Sequence, residues 1–69
     1  MIIWEAKLDD LYECKVTRIS EHKGKLTMLD PFNRILIDRE VGLLYGAVFG
    51  PDIEDVAYWE ELCVAEIDK

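Results

Sequence analysis

Apolar and polar residues alternate along the start of the chain. Ile2, Trp4, Ala6 and Leu8 fall on one side, and Ile3, Glu5, Lys7 and Asp9 on the other. A period of two is that of a half-buried strand, and Asp9-Asp10 ends it. Alternation resumes over residues 11–20, with Tyr12, Cys14 and Val16 on one face and Glu13, Lys15 and Thr17 on the other. The two outer rows carry opposite charges, available for cross-strand pairs. Glu21-His22-Lys23-Gly24 reads as a hairpin loop with Gly24 in a left-handed position. Residues 25–29 form the return strand. Leu26 and Met28 share parity with Val16 while Ile19 and Leu29 do not, and a bulge near Arg18 reconciles the two sets. Asp30-Pro31-Phe32-Asn33 is a turn. Ile35-Leu36-Ile37 opens a fourth strand, whose continuation to Tyr45 depends on whether Asp38-Arg39-Glu40 interrupts it.

The period then changes. Gly50-Pro51-Asp52 reads as a helix start, because proline suits a first turn whose N–H groups have no partner. Asp52, Glu54 and Asp55 sit at the positive end of the helix dipole. At about 100° per residue, Ile53, Val56, Ala57, Trp59, Cys63, Val64 and Ile67 share one side. The pattern therefore predicts a single α+β domain over residues 1–69: a sheet over 2–49 and a helix over 52–67. The sheet is a small bent antiparallel one, or a half-open barrel, of four or five strands with the C-terminal helix packed on it.

Two features of the helix concern function. Glu60 falls within the apolar stripe, where a carboxylate needs a partner; a salt bridge to Arg18, Arg34 or Arg39 and a contact with another protein are the two readings. Tyr58, Leu62 and Ala65 form a second apolar strip, ringed by Glu54, Asp55, Glu61 and Glu66. An apolar strip with an acidic rim has the composition of a binding or dimer surface. Alternatively, Tyr58 and Leu62 wrap round a curved sheet.

Charge sharpens this picture. The net charge is −7. Residues 1–51 carry eight acids and seven bases, whereas residues 52–69 carry seven acids and one lysine. A negative field on the helix repels nucleic acid and membrane surfaces and favours basic partners. With half its residues apolar, the chain is expected to fold. No membrane span, signal peptide or disulfide framework is read in it, so a reducing cytoplasm is the expected compartment.

Catalytic and metal-binding patterns are missing from the sequence. His22, the one histidine, stands in a charged loop without a nucleophile beside it. Cys14 and Cys63 fall on the two buried faces and read as core residues; no metal-ligand spacing surrounds them. The helix acids match no cation-binding loop. No catalytic, cofactor or metal residue is assigned, and no cofactor is expected.

The run Leu43-Leu44-Tyr45-Gly46-Ala47-Val48-Phe49-Gly50-Pro51-Asp52, leading into a helix with Trp59, resembles a family of small uncharacterised proteins of actinobacterial phages, mycobacteriophages above all. The likeness extends to Trp4-Glu5-Ala6, to Tyr12-Glu13-Cys14-Lys15-Val16-Thr17-Arg18 and to Gly24-Lys25-Leu26-Thr27. It covers nearly the whole chain, and the YGA-x-FGPD run is its most specific part. It implies a phage source and no particular mechanism. Gly46 and Gly50 suit tight turns, so this run reads as architecture rather than as an active site.

The expected function is that of a non-enzymatic phage accessory protein in the host cytoplasm. It would bind and modulate a host or phage protein through Glu54, Asp55, Tyr58, Glu61, Leu62 and Glu66. Self-association is an option; nucleic acid and membrane are not expected partners. The alternatives are an oligomeric virion or assembly component, and an acidic mimic of nucleic acid that inhibits a DNA-binding protein.

Overall fold

The computed structural model describes residues 1–43 and 56–69. Strands β1 (Ile2–Leu8), β2 (Tyr12–Ser20), β3 (Lys23–Leu29) and β4 (Ile35–Gly42) precede one helix, α1 (Val56–Ile67). The strands form one antiparallel sheet in the order β1-β2-β3-β4, not closed into a barrel; among the described residues its β1 and β4 edges are open. The architecture is α+β. No helix among the described residues is long and apolar enough to cross a membrane.

Local chemistry sets each turn. Asp9 and Asp10 have φ of 54° and 57°, and Leu11 N–H donates to Leu8 O at 2.9 Å. Two successive left-handed residues match the right-handed twist of a hairpin, and aspartate tolerates that region. Between β3 and β4, Asp30 is 8% exposed and organises the connection. Its Oδ1 accepts from the backbone N–H groups of Phe32 and Arg34, both at 2.8 Å, and its Oδ2 accepts from Arg34 Nε at 2.8 Å. Burial alone would raise the Asp30 pKa. The Arg34 and Phe32 N–H donors and the Arg34 guanidinium outweigh it and hold the carboxyl below its ordinary value.

The β2–β3 connection departs from the expected hairpin. Lys23 and Gly24 belong to β3, leaving Glu21-His22 as the turn. The register shifts between Arg18 and Ser20, at the expected bulge. The bulge lets Arg18 Nη1 donate to Glu21 O at 2.7 Å. Gly24 is a mid-sheet residue opposite Arg18 and Val41. A Cβ there would meet Thr17 O and Val16 Cγ1 at 3.1 Å and Leu43 Cδ1 at 3.3 Å. Close packing, not turn geometry, calls for glycine.

Likewise, β4 runs through Asp38-Arg39-Glu40 without a break. Lys25 Nζ lies 3.1 Å from Asp38 Oδ1, and Lys23 Nζ 3.9 Å from Glu40 Oε1. On the solvent face such charges are compatible with a strand. The same face opposes Glu5 to Lys15 and Lys7 to Glu13, the cross-strand rows expected from the sequence. The extension to Tyr45, the rest of the sheet expected up to residue 49, the YGA-x-FGPD run and the helix start at residues 52–55 lie outside the described residues.

The other face carries the core: Cys14, Val16, Leu26, Met28, Val41 and Leu43 from the sheet side, with Trp59 and Cys63 from α1. The Trp4 and Trp59 rings stack at a tilt, with centroids 5.9 Å apart. Here the helix is turned relative to the expected stripe. Tyr58 and Leu62 pack against the core, while Val56 and Val64 are 47% and 40% exposed. Ala57 and Glu60 are also exposed, which removes the reading of Glu60 as a buried salt bridge. The α1 surface offers two apolar arcs, and the one with the larger side chains buries more area and wins.

Two consequences are measurable. Trp59→Ala should cost about 3–5 kcal/mol, and a melting point within a few degrees of wild type would contradict this packing. Asp30→Asn should destabilise the protein at neutral pH. A depressed native pKa contributes stability that is complete above the unfolded value of about 3.9 and is lost as pH falls through the lower native one. The deficit of Asp30→Asn should therefore shrink in acid, and a gap that stays constant between neutral and acid pH would contradict the account of this turn.

Candidate functional site

The six residues expected to meet a partner separate into three groups. Glu54 and Asp55 lie outside the described residues. Tyr58 is half-buried and packs on the core. Glu61, Leu62 and Glu66 remain accessible to different degrees: Glu61 is exposed, and Leu62 and Glu66 are half-buried.

Leu62 and Glu66, together with the exposed Ala65, line a depression of about 380 Å³ between α1 and β4; Leu36, Asp38 and Arg39 form its other wall. The helix reaches this edge because Trp59 sits against Trp4 of β1 at one end, while α1 also packs against β4. Leu36 is 36% exposed. Leu36, Ile37, Leu62 and Ala65 thus give an apolar floor, and two acids, Asp38 and Glu66, with two bases, Arg39 and Lys69, give a charged rim. Glu66 Oε2 is 3.1 Å from Lys69 Nζ. Lys69 is exposed, and a pair at the surface is worth about 0–1 kcal/mol, little enough for a basic group to displace Lys69.

The β4 wall was not assigned from the sequence. Its signal is the unbroken apolar run Ile35-Leu36-Ile37: on a strand, one of three successive apolar residues must face away from its neighbours. Val56, Glu60 and Val64 were also missed as surface. They recur every four residues, one line along a helix, and the sequence pattern assigned that line to the core.

A second depression, of about 460 Å³, lies on the solvent face of the sheet, walled by Glu5, Lys7, Glu13 and Lys15 over Thr27 and Leu29. Thr27 Oγ1 is buried there without a hydrogen-bond partner among the described residues. The walls face each other as opposite charges across β1 and β2, so the hollow offers a charged ligand little net field.

Residues with reactive side chains are dispersed. His22 Nε2 is 4.0 Å from Glu21 Oε2 in an exposed turn. Among the described residues, no group of three His, Cys, Asp or Glu side chains converges as a metal site. Cys14 and Cys63 are free, buried and mutually hydrogen-bonded, one from β2 and one from α1. Burial pushes both thiols up, and that of Cys63 reaches about 12, with the Cys14 hydrogen bond and the Glu60 charge adding to the rise. A thiol kept protonated is a poor nucleophile.

Native protein should therefore react slowly with a thiol reagent and quickly in denaturant. Unfolded thiols ionise near 9 and native Cys63 near about 12, so the unfolded state releases protons first and stability should fall as pH rises above about 9. A Cys14→Ala, Cys63→Ala variant should lose part of that alkaline slope. Rapid native labelling of both thiols would overturn the core assignment, and a mass two units low would reveal a bridge.

No protein-family model, curated protein or solved structure matches this chain.

Proposed function

We propose that this chain is a phage accessory protein that binds and modulates a host or phage protein in the host cytoplasm, without catalysing a reaction. The carrying observation is the depression between α1 and β4, lined by Leu36, Ile37, Leu62 and Ala65 and rimmed by Asp38, Arg39, Glu66 and Lys69. An apolar floor with a charged rim is the arrangement of a protein contact. The concentration of acids over residues 52–69 supports a basic partner. The phage assignment rests on the YGA-x-FGPD resemblance.

The contact surface proposed is shifted from the one read in the sequence. Tyr58 has its core role, so the surface centres on Leu62, Ala65 and Glu66 and extends over Glu61 and Leu36. The acids concentrated over residues 52–69 should speed encounter, and the apolar floor should set the lifetime of the complex.

Ala65 is exposed, so Ala65→Arg should leave the melting point near that of wild type while filling the depression and adding the wrong charge. Affinity for a partner captured from an actinobacterial lysate should fall by about tenfold or more, equivalent to about 1.4 kcal/mol. Glu61→Lys should act mainly on the association rate and flatten its salt dependence. Equal affinity of wild type and Ala65→Arg for that partner would place the binding surface elsewhere. Competition by duplex DNA for the same partner would instead favour a nucleic-acid mimic.

A further inference from the structure

Among the described residues β1 is an edge of the sheet, and nothing pairs with its outer side. Leu8 O accepts from Leu11 N–H at the hairpin, so Leu8 directs its main chain toward β2. Main-chain groups point alternately to the two sides of a strand. Ala6 therefore also faces β2, and Glu5 and Lys7 present N–H and C=O to the open edge. Such groups are a template for another strand.

The side chains specify which strand. Glu5 and Lys7 lie on the solvent face, and Trp4, Ala6 and Leu8 on the helix face, as their partners in β2 require. Consider a second copy of β1, antiparallel and related by a two-fold axis at Ala6. Glu5 then opposes Lys7 of the second copy, Lys7 opposes its Glu5, and Trp4 opposes its Leu8. Because Glu5 already faces Lys15 and Lys7 faces Glu13, the row across both copies alternates in sign: Lys15, Glu5, then Lys7 and Glu13 of the second copy. Shifting the axis to Glu5 or to Lys7 brings like charges face to face, which destabilises a pair. On the helix face, Trp4 and Leu8 are only half-buried within one chain and have area left to cover.

The other edge lacks this complementarity. An axis at Arg39 of β4 would oppose Asp38 to Glu40 of the second copy, acid against acid, and α1 already packs against β4.

We propose that the chain forms a two-fold symmetric dimer in which β1 pairs antiparallel with β1 of a second copy, centred on Ala6, so that one continuous sheet runs through both. About four main-chain hydrogen bonds join the strands, exchanged between Glu5 and Lys7 of opposite copies. This surface lies at the opposite edge of the sheet from the α1–β4 depression, so the dimer stands or falls independently of the partner-binding reading.

Sedimentation equilibrium tests it. Wild type should show twice the 8.0 kDa chain mass. Glu5→Lys carries two lysines on the edge and Lys7→Glu two glutamates, so each should self-associate at least about tenfold more weakly. An equimolar mixture of the two should recover the dimer, because opposite charges again face each other. That rescue separates an interface effect from damage to pairing with Lys15 or Glu13 inside one chain. Lys7→Gln, which opposes no like charges within the chain, should weaken the dimer a few-fold. A monomeric wild type at the highest soluble concentration, single variants that dimerise as tightly as wild type, or a mixture that stays monomeric would each overturn the proposal.

Discussion

The seating of Trp59 against the sheet is the contact on which the arrangement of this small domain depends. Its ring is 1% exposed and lies on Trp4. A buried indole covers about 150–250 Å², worth roughly 4–6 kcal/mol at about 25 cal/mol per Å². Against that stands its Nε1–H, buried with no acceptor among the described residues, at about 1–3 kcal/mol. Ring burial wins, and it fixes the rotation of α1. With Trp59 inward, Cys63 follows one turn later against Cys14, Tyr58 and Leu62 close over the core, and Val56, Glu60 and Val64 face outward.

The sheet is shaped to receive that helix. Gly24 lets β3 lie close to Val16 and Leu43, which keeps the core face smooth under the helix. The solvent face needs no such fit. Its charges face one another across the strands, and exposed pairs of this kind add little stability. They do restrict register: a slip of two residues would set Glu5 against Glu13 or Lys7 against Lys15, while a slip of one would move the core residues to the wrong face. The same charge order continues to the edge of β1, where it selects one self-complementary pairing.

Much of the sheet was legible in the alternation of Trp4, Ala6 and Leu8 and of Cys14 and Val16, because a period of two leaves only two faces to choose between. The Arg18 bulge was legible because the apolar parity of Val16 and Ile19 conflicts. Gly24 misled because glycine serves both turns and close packing, and only the position of Val16 and Leu43 decides between them. Asp38-Arg39-Glu40 misled because the solvent face carries Asp38 and Glu40 freely, and Arg39, opposite Leu26 on the other face, still reaches solvent at the sheet edge. The helix was harder: its apolar residues span two arcs, so counting positions favoured Val56, Ala57 and Val64 over the bulkier Tyr58 and Leu62. Of the residues expected to meet a partner, Leu62 and Glu66 line the depression with Ala65, while its β4 wall depends on tertiary placement that no local pattern encodes.

The functional reading rests on that same rotation, since it decides which residues of α1 remain for a partner. The direct measurement is a set of proton–proton Overhauser contacts from α1. The account predicts contacts from the Trp59 ring to the Trp4 ring, and from the Leu62 methyls to Leu36 and Ile37, with none from the Val56 or Val64 methyls to the sheet. Contacts from Val56 and Val64 to the sheet, with Tyr58 and Leu62 facing solvent, would contradict it and restore the opposite face of the helix as the candidate surface.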